Sequence, residues 1–137
     1  MNRDSKLLFV EDNPMQQKLL QFLAAHLGYS ITVVGTCGQA AELISKPNSF
    51  ELIFLDNHLP DGTGLEFVNE LRSIQDMSGC RVPIVSMTAD DLAKDVCIEA
   101  GMDDHLLKPF SIDAIRAMVD RWAPFLKMNH CNFPFSK

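Results

Sequence analysis

Three observations predict an α/β fold, a doubly wound five-stranded parallel sheet with five helices. Short apolar runs recur along the chain, segments with helical spacing separate them, and the runs are apolar throughout instead of alternating. Regular alternation of strand and helix implies parallel pairing, and continuous apolarity implies strands covered on both faces. Right-handed crossovers then distribute the helices over both sides of the sheet.

The first strand-sized run is LLFV at 7–10. Asn13, Pro14 and Gln16 follow as N-cap, first helical position and capping-box partner. Leu19, Phe22, Leu23 and Leu27 give the first helix an apolar side, and Met15, Leu20 and Ala24 widen it, as deeper packing or as a docking surface. ITVV at 31–34 is the second strand; Thr36 with Gln39 repeats the box ahead of Ala40, Leu43 and Ile44. LIFL at 52–55 is the third strand, and Thr63 with Glu66 opens a helix carrying Phe67, Val68, Leu71 and Ile74. IVSM at 84–87 is the fourth, followed by a helix with Leu92, Val96, Cys97 and Ala100. HLL at 105–107 is the fifth; Ser111 then caps a helix with Ile112, Ile115, Val119 and Trp122. Trp122, far along that helix, is expected to be remote from any site at the sheet. The periodic pattern stops there. Residues 1–5 are therefore an N-terminal extension, 6–123 the domain, and 124–137 a tail docked through Phe125, Phe133 or Phe135.

A chain of 137 residues suits one domain. Its net charge of -6 argues against direct nucleic-acid binding, which needs clustered Lys and Arg. The opening MNRDSKLLFVED lacks a signal-peptide core, and no apolar stretch is long enough to span a membrane, so a cytoplasmic chain without membrane insertion is expected. Cys37, Cys80, Cys97 and Cys131 form no C-x-x-C pair and are expected as buried thiols. His26 and His130 are expected as surface or core filler.

The polar residues that follow the strands carry the chemistry. Ligands of open parallel sheets bind beyond the carboxyl ends of the strands. Those positions hold Glu11 and Asp12, Asp56, Thr88 and Lys108. Like charges about 4 Å apart repel by roughly 4 kcal/mol at an effective dielectric near 20, so three carboxylates gathered there call for a bound cation. Mg²⁺ fits, since it takes one or two carboxylates and accepts a phosphate oxygen. With an ammonium from Lys108 and a hydroxyl from Thr88, these are the parts that neutralise charge during phosphoryl transfer. Asp56, held at a rigid strand end, is then a candidate nucleophile that becomes an aspartyl phosphate. Pro60 and the Asp61–Gly62 pair let the next loop turn sharply.

Over residues 6–123 the chain resembles the receiver domain of two-component response regulators, the CheY-like superfamily. The resemblance rests on LLFVEDNP, LIFLDNHLPDG, PIVSMTA and GMDDHLLKPF, in that order and at the family's spacing. It implies a flavodoxin-like sheet in the order 2-1-3-4-5. It further implies Asp56 as phosphorylation site, with Mg²⁺ held by Glu11, Asp12, Asp56 and the backbone carbonyl of His58. Thr88 and Lys108 then contact the phosphoryl group, Thr88 and His105 form the conformational switch, and His58 and Asp90 tune dephosphorylation. The Lys108–Pro109 bond is expected to be cis. VEDNP with the following QQK, TAD and GMDD looks most like receivers of hybrid sensor histidine kinases or phosphorelays. The implied partner is a sensor histidine kinase or a histidine phosphotransfer domain, and a phosphorylation-dependent dimer is a further expectation. Such a module is a signalling receiver, not an enzyme beyond its own phosphotransfer and autodephosphorylation, and could be the cytoplasmic portion of a membrane-bound hybrid kinase.

Two positions depart from the family's habit. Leu59 replaces a usual methionine, and His105 stands where an aromatic, commonly tyrosine, is usual. A haloacid-dehalogenase-type Mg²⁺-dependent phosphatase is a rival, but it wants a second aspartate where His58 stands. A flavin module would share the fold, yet Glu11 and Asp12 would repel its phosphate. A phosphorylation-independent interaction module would have lost a site residue.

Overall fold

The computed structural model describes residues 6–45, 50–78, 82–89, 94–109 and 111–128. Cys80, Asp90, Leu92, His130, Cys131, Phe133 and Phe135 lie outside the described residues, as do the side chains of His58, Thr63, Ile74 and Phe125. In chain order the elements are β1 Lys6–Val10, α1 Pro14–Leu27, β2 Ser30–Val34, α2 Cys37–Ile44, β3 Leu52–Asp56, β4 His58–Leu59, β5 Gly62–Thr63, α3 Gly64–Ser78, β6 Ile84–Thr88, α4 Lys94–Glu99, β7 Asp104–Leu107 and α5 Ile112–Met128. The main sheet has the order β2-β1-β3-β6-β7 with every pair parallel. Counted by main-sheet strands alone this is 2-1-3-4-5, the arrangement the resemblance implies. An antiparallel ribbon of β4 and β5 pairs His58 with Thr63 and Leu59 with Gly62 inside the stretch read as a turn. Two-residue strands are too short to leave a periodic signal.

Successive residues on each strand face opposite sides of the sheet. Leu8, Val10, Ile53, Leu55 and Ile84 meet Ala40, Phe67, Val68, Leu71 and Cys97 on one side. Leu7, Phe9, Phe54, Val85 and Met87 meet Leu20, Leu23, Ile115 and Val119 on the other. Phe9 and Phe54 stack with centroids 4.4 Å apart. Burial of each such side chain is worth about 1.5–3 kcal/mol, so the two layers fix the strand ends that carry the site. Cys37 and Cys97 are buried thiols.

The caps form largely as the sequence suggests. Asn13 Oδ1 accepts from the N–H groups of Met15 and Gln16 at 2.9 and 3.1 Å. The Asn13 N–H itself donates to Glu11 Oε2 at 3.2 Å, so Glu11 fills the reciprocal place assigned to Gln16. Thr36 Oγ1 accepts from Gln39 N at 3.1 Å, and Ser111 Oγ from Ala114 N at 3.2 Å. Gly28, at φ 79°, closes α1 in the left-handed region that glycine tolerates best.

Helix faces and ends hold two differences. In α1 the buried residues are Leu20, Leu23 and Ala24, whereas Leu19 and Phe22 are 39% and 59% exposed and Met15 80%. The core side is therefore rotated from the one the spacing suggested, and Met15, Leu19 and Phe22 form an outward stripe. With apolar residues on so much of the helix circumference, spacing alone cannot say which arc meets the sheet. The last helix runs to Met128, past Trp122 and through Pro124. Ala123, Leu126, Lys127 and Met128 are good helix formers, and Leu126, four residues past Trp122, keeps step with Ile115, Val119 and Trp122, so the helical spacing runs on beyond the boundary that Pro124 suggested.

Candidate functional site

The ends of β1, β3, β6 and β7 lie side by side, and the residues there are held by backbone contacts before any side chain acts. Glu11 N–H donates to Val34 O at 2.9 Å, and the Gln17 side chain donates to the Glu11 carbonyl. Lys108 N–H donates to Thr88 O at 2.7 Å, carrying the lysine back over the sheet edge. The Lys108–Pro109 peptide bond is cis.

From this frame Lys108 Nζ reaches Glu11 Oε1 at 2.8 Å and Asp56 Oδ2 at 3.3 Å. One oxygen from each of Glu11, Asp12 and Asp56 lies within 4.8 Å of the other two. Glu11 and Asp56 are buried and Asp12 is exposed, so the cluster opens to solvent through Asp12. Thr88 is buried at the end of β6, beside β3 in a register that pairs Asp56 with Met87. His105 is set back: it pairs in register with Ser86, and its N–H donates to Asp104 Oδ1 at 2.8 Å. Glu11, Asp12, Asp56 and Lys108 are thus brought together, with Thr88 on the adjoining strand end. The backbone of His58 lies in β4, two residues past Asp56; Asp90 is outside the described residues.

One ammonium faces three carboxylates, and the protonation of the cluster reflects the surplus of negative charge. Burial pushes the Glu11 carboxyl up, and the Asp56 charge adds to that against the opposing bond from Lys108. Burial works against the charge on Lys108, but the hydrogen bond it donates to Glu11 and the charges of Asp56 and Glu11 outweigh it and hold the ammonium above its ordinary value. The donor set is all oxygen, convergent and short of positive charge, which fits a hard divalent cation.

Three contributors were not legible from the chain. Gln17 holds the Glu11 backbone from α1. Asn57 is buried, with its amide donating to Cys97 Sγ at 3.4 Å. Asp61, read only as part of a turn, accepts from Cys37 N and Gly38 N at 2.9 and 3.0 Å. The start of α2 is a signal for an acceptor, but nothing in the sequence says which distant residue answers it.

A doubly wound sheet with an acidic, lysine-bridged cluster beyond its strand ends defines a phosphoacceptor-type α/β module. The family model of the response regulator receiver domain matches residues 7–120. The hybrid signal transduction protein dokA of Dictyostelium discoideum is 37% identical over 116 residues, covering 85% of this chain and 7% of that protein. The aerobic respiration control sensor protein ArcB of Escherichia coli is 37% identical over 117 residues, covering 85% of this chain and 15% of that protein. The chain thus spans a small part of these relatives. Among solved structures, the receiver domain of the sensor histidine kinase PA1611 of Pseudomonas aeruginosa, with magnesium coordinated in its active site cleft, has a TM-score of 0.78 and 32% identity, covering 88% of this chain and 98% of that one. This chain belongs to the response regulator receiver domain family, the signalling modules of two-component and phosphorelay systems. The phosphatase reading is thereby not favoured. No helix among the described residues is long and apolar enough to cross a membrane.

Proposed function

We propose that this domain accepts a phosphoryl group from a phosphohistidine onto Asp56. The observation that carries the reading is the convergence of Glu11, Asp12 and Asp56 with Lys108 bridging two of them. An Asp56 carboxylate oxygen forms the new O–P bond as the P–N bond of the donor breaks and its electron pair returns to the imidazole. Glu11, Asp12, Asp56 and the His58 backbone carbonyl would hold Mg²⁺, which supplies charge neutralisation at the phosphoryl oxygens. Lys108 neutralises a further oxygen, and the Thr88 hydroxyl donates to another. Thr88 then moves toward the phosphoryl group and His105 follows, the switch that alters partner binding. His58 and Asp90 tune the attack of water that ends the signal by autodephosphorylation.

The partner is the histidine-bearing domain of a sensor kinase or a histidine phosphotransfer protein, in keeping with the kinase relatives. The outward stripe of Met15, Leu19 and Phe22 begins beside Asp12 and Asn13 and would meet it. Residues 6–123 act as the receiver unit, in the cytoplasm, with no nucleic acid bound directly and a dimer formed on phosphorylation. Intact mass after incubation with acetyl phosphate and Mg²⁺ tests the chemistry. One phosphate adduct is expected on the wild type and none on Asp56→Asn. An unmodified wild type, or an adduct that survives the substitution, would overturn it.

A further inference from the structure

The loop that leaves β3 after Asp56 does more than turn. Asp61 reaches the start of α2, 24 residues earlier, where Oδ1 accepts from Cys37 N at 2.9 Å and Oδ2 from Gly38 N at 3.0 Å. These N–H groups open the helix and have no acceptor within it. A carboxylate also suits the positive end of the helix. The bonds from Cys37 and Gly38 hold the Asp61 carboxyl below the usual carboxylate range.

The turn that leads into this helix lies near the other acidic loop. Gly35 N donates to Gln39 Oε1 at 3.0 Å. A Cβ on Gly35 would lie 3.5 Å from Gln17 Nε2 and 3.8 Å from Asp12 Cα. Gln17 in turn holds the Glu11 carbonyl. The beginning of α2 therefore stands between the loop bearing Glu11 and Asp12 and the loop bearing Asp56 and His58. The β4–β5 ribbon ties the two arms of the second loop together, pairing His58 with Thr63 and Leu59 with Gly62.

We propose that Asp61 is a positioning residue that fixes the acceptor loop against the Glu11–Asp12 loop through the start of α2, and so sets the spacing of the metal-binding oxygens. This rests on the metal reading above. A carboxylate engaged through both oxygens fixes orientation as well as distance, and a loop held by the backbone ribbon alone would keep its fold but lose its placement.

Calorimetric Mg²⁺ titration of the full chain tests this. Asp61→Ala is expected to weaken Mg²⁺ about tenfold, the scale of losing two modest hydrogen bonds. Asp61→Asn, which keeps one accepting oxygen, should fall between it and the wild type. Acetyl phosphate labelling of Asp61→Ala should be slow at low Mg²⁺ and recover at saturation. Amide exchange at Cys37 and Gly38 should quicken without any metal. Mg²⁺ affinity within about twofold of wild type in Asp61→Ala would overturn the proposal. So would a labelling defect undiminished at saturating Mg²⁺, or an affinity loss matched by equal loss of melting temperature in both variants. A wild-type chain with no Mg²⁺ affinity would instead sink the metal reading, and this proposal with it.

Discussion

Gly64, the first residue of α3, shows how closely the backbone approaches the acceptor. A Cβ built there would lie 2.7 Å from the Asp56 carbonyl oxygen and 2.9 Å from Asn57 Oδ1. The Gly64 N–H meanwhile donates to Asn57 O at 3.1 Å, so the contact cannot simply open. Gly64→Ala is expected to cost about 1–3 kcal/mol, the usual range for forcing extra volume into a packed region. An unchanged urea midpoint would contradict this. At this scale the sequence was most informative where a residue directly follows an apolar run. Glu11, Asp56 and Lys108 were legible because a strand end fixes both place and direction. Asn57 and Asp61 were not, because their partners Cys97, Cys37 and Gly38 come from other elements.

Among the elements, α1 separates what spacing can and cannot decide. Its start was legible from Asn13 and Pro14, each with a specific backbone role, whereas its end at Gly28 came from the structure. Its inward face was not, because Met15, Leu19 and Phe22 are as apolar as Leu20, Leu23 and Ala24. Single truncations distinguish the two arcs. Leu23→Ala, at a 6% exposed position, is expected to cost about 2–5 kcal/mol. Phe22→Ala, at a 59% exposed one, should stay within about 0.5 kcal/mol. Equal losses in chemical denaturation would mean that the faces are assigned wrongly.

The molecule as a whole depends on how its outer strand is fastened to its last helix. Asp104 in β7 accepts from Arg121 Nη1 at 2.7 Å and from Trp122 Nε1 at 3.0 Å. Burial opposes the charge on Asp104, but the bonds from Arg121, the His105 N–H and Trp122 prevail and hold its carboxyl below the ordinary 3.8. The folded chain therefore binds this proton less readily than the unfolded chain. The stability so gained is complete above pH 3.8 and fades as pH falls through the lower folded value. Asp104→Asn is expected to cost about 1–2 kcal/mol near neutrality, the low end for bonds to a charged group, because Arg121 is solvent-exposed. The gap to the wild type should narrow on acidification. A gap that is constant or widens in acid melts would refute the assignment. The strand order came from family likeness, since five interchangeable apolar runs carry no record of their neighbours. Parallel pairing and coverage on both faces came from the runs themselves.

The bond between Trp122 and Asp104 gives the chain a built-in optical gauge. Trp122 is its only tryptophan. Its indole is tethered to Asp104, at the end of β7 away from Lys108, as its place far along α5 implies, yet next in sequence to His105. Any shift of that strand on signalling would alter the local polarity of the fluorophore, so its emission maximum can follow the event in solution without a dye.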